Sequence, residues 1–121
     1  MNGSVLVVDD DPAFRALAHR LLAAFGLTVA GEAGTVQTAL AAAGSLRPDA
    51  VLVDVGLPDG DGITLASQLA ALPWRPRVVL TSSDASAATE ADVRRSGAEA
   101  FVPKDQLTNV ALDELLGGAG G

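Results

Sequence analysis

The chain has 121 residues, a formal net charge of −7, no cysteine and an apolar fraction of 49%. That size fits one domain with a real core, and the composition excludes a disulfide framework, a thiolate metal site and a disordered acidic tail. The basic residues are scattered and aromatics make up 3% of the chain, which argues against direct nucleic-acid binding, since that rests on Lys/Arg neutralising phosphates and on aromatic stacking. No apolar run reaches the roughly eighteen residues of a membrane span, and Met1 is followed by polar residues rather than a signal-peptide pattern. A cytoplasmic protein without a membrane partner is expected.

"SVLVV" (Ser4 to Val8) is the first strand candidate, and it runs directly into Asp9, Asp10 and Asp11. Asp11 suits a helix N-cap and Pro12 the first helical position. Phe14, Leu17, Ala18, Leu21 and Phe25 share one face of that helix, which Gly26 closes. "LTVAGE" (Leu27 to Glu32) reads as strand two and "TVQTALAAAGSL", capped by Thr35, as helix two. "AVLVD" (Ala50 to Asp54) is strand three, again an apolar run ending in Asp. "LPDGDG" is turn chemistry, with Asp59 and Asp61 expected to solvate the loop and Asp61 to form its turn. Helix three begins near Ile63 and ends before Pro73. "RVVLT" (Arg77 to Thr81) is strand four, "SAATEADVRRSG" helix four, and "AFVP" strand five. Helix five runs from about Thr108 to Leu116, giving a domain over 1–116 and a flexible Gly-rich tail over 117–121.

Strict alternation of strands and helices points to an α/β fold. Continuous apolarity in strands one, three and four says that both sheet faces are covered. Right-handed crossovers then favour a flavodoxin-like, doubly wound three-layer sandwich around a five-stranded parallel sheet of order 2-1-3-4-5. Such sheets bind at the carboxyl ends of their strands. Those ends carry Asp9 and Asp10, Asp54, Thr81 and Ser82, and Lys104. Each residue alone could be a cap or a solvated charge, but their convergence on one rim is not expected by chance. Three crowded carboxylates repel one another unless a cation joins them, and an all-oxygen set suits Mg²⁺. Asp11 is better explained as the cap, leaving Asp9 and Asp10 for the metal.

In order and spacing, "VVDDDP", "VLVDVGLPDGDG", "VLTSS" and "FVPKD" resemble the receiver domains of two-component response regulators over essentially the whole chain. The resemblance implies that Asp54 accepts a phosphoryl group from a sensor histidine kinase or phosphotransfer protein in a Mg²⁺-dependent reaction, a phosphoacceptor switch rather than a conventional enzyme. It implies Asp10 as a direct metal ligand, Asp9 as one through water, and Gly56 as the donor of a backbone carbonyl. Thr81, with Ser82 as the second choice, would bond a phosphoryl oxygen, Lys104 would pair with another, and Phe101 would take the place of the switch aromatic. The output face would be helix four, strand five and helix five, which is also a possible homodimer surface.

The resemblance is to receivers that often carry Pro after the strand-five Lys, with a cis bond. Here Asp105 stands there, a variant found in receivers attached to helix-turn-helix effectors and pointing to transcription regulation. Three rival readings differ in kind. A phosphohydrolase with an Asp nucleophile would need a cap region, and a flavodoxin-like cofactor binder would need a Gly/Ser/Thr-rich phosphate loop where three Asp stand. A binding module that has lost phosphorylation would not need the acceptor, acid pair, hydroxyl and Lys together. His19 is expected to be a solvated helical residue. Trp74 could anchor its loop or form part of a partner patch.

Overall fold

The computed structural model describes residues 3–117. Five strands, β1 (Ser4–Val8), β2 (Thr28–Ala33), β3 (Ala50–Asp54), β4 (Arg77–Ser82) and β5 (Ala100–Pro103), form one parallel sheet in the order 2-1-3-4-5. This is the doubly wound arrangement expected from the alternation. The order reverses between β1 and β3, so their carboxyl ends open onto a crevice.

Alternate side chains of each strand go to opposite faces and build two cores. Val5, Val7, Leu52, Val79 and Val102 meet Phe14, Ala18 and Leu22 of α1 (Pro12–Ala24) and Leu112 and Leu116 of α5 (Leu112–Gly117). Leu6, Val8, Val51, Val53, Val78 and Leu80 meet Ala39 and Ala43 of α2 (Val36–Leu46) and Leu65, Ala66 and Leu69 of α3 (Gly62–Ala70). The fourth helix, α4 (Glu90–Ser96), buries only Ser96.

Local chemistry explains the boundaries. Asp11 accepts from the Ala13 N–H at the start of α1, Thr35 forms a capping box with Thr38 at α2, and Gly26 takes the positive φ that follows α1. Four expectations change. The buried line of α1 is 14-18-22: the helix is rolled so that Leu22 is fully buried while Leu17, on the other flank of the stripe, is 49% exposed. Helix four starts at Glu90 rather than near Ser86. The Asp84 carboxylate accepts from the Ser86 N–H and Oγ and holds a non-helical turn, and the Thr89–Asp92 capping box begins the helix later. Helix five does not start at Thr108. A 3₁₀ turn over Lys104–Asn109 and an extended Val110 come first. Strand two is shifted by one residue, and residues 118–121 of the expected tail lie outside the described residues. All peptide bonds among the described residues are trans, Lys104–Asp105 included.

Candidate functional site

The β1 ladder carries Asp9 into the protein. Its N–H donates to the Ala33 carbonyl (2.9 Å), and its side chain is fully buried. Oδ1 accepts from the Asp11 N–H at 2.8 Å, which fixes the carboxylate beside the start of α1. The backbone carbonyl of Asp9 accepts from Arg15 Nη1 (2.7 Å), while Arg15 Nε reaches Glu32 (2.9 Å). Oδ2 lies 2.7 Å from Lys104 Nζ, yet it accepts no well-directed hydrogen bond. Asp10, the next residue, is exposed.

Asp54 ends β3, opposite Thr81 in the β3–β4 ladder, and is 8% exposed. The chain leaves it through a Val55 N–H bond to the Thr81 carbonyl and a short hairpin that pairs Gly56–Leu57 with Gly60–Asp61. The Gly62 N–H then returns to the Val55 carbonyl (2.8 Å). A Cβ at Gly62 would stand 2.2 Å from the Asp54 carbonyl oxygen, so only glycine lets α3 start this close to the acceptor strand. Around Gly56 there is open space.

One carboxylate oxygen from each of Asp9, Asp10 and Asp54 lies within 4.8 Å of the other two. Burial lifts the Asp54 carboxyl from the usual 3.8 to about 6. The Asp9 charge adds to the rise, Lys104 and the Gly56 N–H oppose it, and Asp10 adds a little more. The donors are hard oxygens, and the fully buried Asp9 Oδ2 lacks a hydrogen bond. Both properties fit a small divalent cation such as Mg²⁺.

Of the remaining sequence-predicted residues, Thr81 stands beside the cluster, opposite Asp54, and the others lie elsewhere. Thr81 is fully buried and donates its hydroxyl to the Val102 carbonyl (2.7 Å). Ser82 faces away from it in the alternation of β4, and its Oγ accepts from the Asp84 N–H (3.1 Å). Phe101 is half-buried and lines, with Ala88, Thr89, Val93 and Arg94 among others, a groove of 340 Å³ between α4 and β5. His19 is exposed. Trp74 anchors its loop: Nε1 donates to the Pro48 carbonyl (2.9 Å), and the Arg47 guanidinium lies 4.6 Å from the ring centre.

Sequence reasoning missed several contacts. Asp59 is more than a solvating loop residue. Its oxygens accept from the Val36 (2.7 Å) and Gln37 (3.1 Å) N–H groups and tie the acceptor hairpin to the N-terminus of α2, and the Val36 bond foremost holds its carboxyl below the usual range. Asp61 is the N-cap of α3, accepting from the Ile63 N–H (3.0 Å). The Phe14 ring lies under Lys104 Nζ, 4.2 Å from ring centre to nitrogen.

Residues 5–115 match the family model of the response regulator receiver domain. The chain belongs to that family. Among curated relatives, this receiver is 38% identical over 100 residues to the DNA-binding transcriptional activator DevR/DosR of Mycobacterium tuberculosis, covering 83% of this chain and 46% of the relative. It is 36% identical over 105 residues to the KDP operon transcriptional regulatory protein KdpE of Escherichia coli, covering 84% and 44%. The chain thus spans about half the length of the curated relatives it matches. Among solved structures, the response regulator domain of Thermotoga maritima CheB superposes with a TM-score of 0.78 at 26% identity, covering 95% of this chain and 92% of that one. The REC domain of RcsB from Salmonella enterica, solved with the phosphomimetic BeF₃⁻, shares the fold with a TM-score of 0.82 at 21% identity, covering 98% and 91%. Membership of this family sets aside the phosphohydrolase and flavodoxin-like readings. Among the described residues, no helix is long and apolar enough to cross a membrane.

Proposed function

We propose that this receiver accepts a phosphoryl group on Asp54 from the phosphohistidine of a sensor kinase or phosphotransfer protein. Asp10, Asp54 and the Gly56 carbonyl would hold Mg²⁺ directly, and Asp9 through water. The observation that carries the reading is the juxtaposition of three carboxylates at the switch point, one with a buried oxygen that accepts no well-directed hydrogen bond and is paired with the Lys104 ammonium.

When bound, Mg²⁺ neutralises the carboxylates and the transferring phosphoryl oxygens. Above its raised pKa, Asp54 is the charged nucleophile. One carboxylate oxygen forms a bond to phosphorus as the P–N bond to the donor imidazole breaks, and that nitrogen keeps the electron pair and takes up a proton. Lys104 balances the added charge, and the Thr81 hydroxyl leaves the Val102 carbonyl for a phosphoryl oxygen. Release of that bond frees β5 beside Phe101, whose ring then enters the space toward Thr81 and reshapes the α4–β5–α5 face. α4 is the mobile part because it buries so little. That face would engage an output module or a second receiver, with transcription control the expected output given the two regulators above. Open space at Gly56 leaves water a path to the acyl phosphate, so Gly56→Arg is expected to lengthen its half-life, read by the decay of the adduct.

Incubation with acetyl phosphate tests the assignment. Intact mass spectrometry should show one added phosphoryl group with MgCl₂, none with EDTA, and none in Asp54→Asn. An adduct that persists in Asp54→Asn removes the acceptor role.

A further inference from the structure

Lys104 is held by two partners of different kinds. Its ammonium touches Asp9 Oδ2 at 2.7 Å and stands 4.2 Å from the centre of the Phe14 ring. Its side chain is 18% exposed, so this charge has lost most of its water. A charge in that setting gains from an aromatic face, because the ring's negative quadrupole replaces part of the lost hydration. Phe14 itself is 8% exposed and fixed in the core below α1, so the platform cannot swing away. The acid it presses the ammonium against belongs to the proposed metal cluster. Two cations therefore compete for the charge on Asp9.

We propose that Phe14 is a positioning residue that parks Lys104 on Asp9 and so raises the Mg²⁺ concentration needed to fill the acidic cluster. The inference rests on the Mg²⁺ reading of that cluster and adds a residue outside the family motifs quoted above. In the metal-free protein the ring and the carboxylate hold the ammonium together. Metal entry neutralises Asp9 and weakens the second hold, which makes Lys104 available to a phosphoryl group only after the cluster has filled. A non-aromatic side chain of similar volume at position 14 leaves the packing but removes the quadrupole. Lys104 is then a weaker competitor.

The test is a double-mutant cycle read by Mg²⁺ binding rather than by phosphorylation. MgCl₂ is titrated against the thermal unfolding midpoint, which yields an apparent Kd by linkage, for the wild type, Phe14→Leu, Lys104→Met and the double variant, with Phe14→Met as a second non-aromatic packing. Phe14→Leu and Phe14→Met are expected to bind Mg²⁺ about two- to thirty-fold more tightly than wild type, the span from an exposed to a desolvated cation–π contact. In the Lys104→Met background, the change at position 14 is expected to have no effect on the Kd. Unchanged or weaker Mg²⁺ binding in both position-14 variants overturns the inference, as does equal tightening with and without Lys104. A Mg²⁺ response absent from all the proteins overturns the metal reading beneath it, a result distinct from a response that is indifferent to residue 14.

Discussion

The two ends of the sheet handle charge in opposite ways. At the amino ends of the strands, polar groups are exposed and matched: Asp49 accepts from the Ser4 N–H and Oγ, and Arg77 pairs with Glu99 at 3.0 Å. At the carboxyl ends, two carboxylates are buried near a third, one oxygen accepts no hydrogen bond, and Asp54 is lifted to about 6. The first arrangement stabilises the fold modestly. The second crowds like charges away from water, which costs stability unless a cation joins them. The difference is the one expected if the acidic rim serves the proposed Mg²⁺ rather than the resting fold.

The comparison breaks most sharply at Lys104. Lys104→Ala leaves Asp9 buried beside other acids without its counter-charge, and should lower metal-free stability by about 3 kcal/mol in urea unfolding. MgCl₂ at a hundred times its Kd should return about 2.7 kcal/mol. Equal loss with and without Mg²⁺ would mean that the metal does not take over the neutralisation. Asp54→Asn acts in the other direction. Removing a destabilised charge should raise metal-free stability at neutral pH by about 1–2 kcal/mol, even as it abolishes phosphorylation.

The pH dependence sharpens the same point. Because the folded Asp54 pKa is raised from 3.8 to about 6, the folded chain keeps a proton that the unfolded chain has released. The stability contributed by this group is fully present below 3.8 and is lost as pH rises through about 6. Metal-free unfolding of wild type, compared with Asp54→Asn between those limits, should show this extra downward slope in the wild type only. Mg²⁺ affinity should rise over the same window, since the ionised carboxylate is the proposed ligand. The smallest effect belongs to the opposite end. Arg77→Ala breaks an exposed pair and should cost less than about 1 kcal/mol while leaving Mg²⁺ binding unchanged.

Sequence reading reached furthest where the signal was local or periodic. Apolar runs located the five strands, and the caps Asp11 and Thr35 were visible from side-chain type and position. The alignment of strand ends by itself brings Asp9, Asp10, Asp54 and Lys104 to one rim. The start of α4 was misplaced because Ala-rich spacing resembles a helix, while the Asp84 turn and the Thr89–Asp92 box decide where the helix begins. Periodicity puts Leu17 in the buried stripe of α1 and leaves Leu22 out; the two flank the same stripe, and only the roll of the helix makes Leu22 the buried one. The Asp59 bonds to α2 and the Phe14 platform join residues from different elements, and neither leaves a periodic trace. The Thr81 hydroxyl was assigned from its place at a strand end, but its resting bond to Val102 depends on the β4–β5 register.

Borohydride trapping of the phosphorylated protein tests the central claim most directly. Acyl phosphates are reduced to the corresponding alcohol, so after treatment with acetyl phosphate and MgCl₂ the peptide containing position 54 should carry homoserine in place of Asp54. The same peptide should be unmodified when EDTA replaces MgCl₂. Homoserine at another aspartate, or equal conversion at Asp54 without divalent cation, would contradict the account.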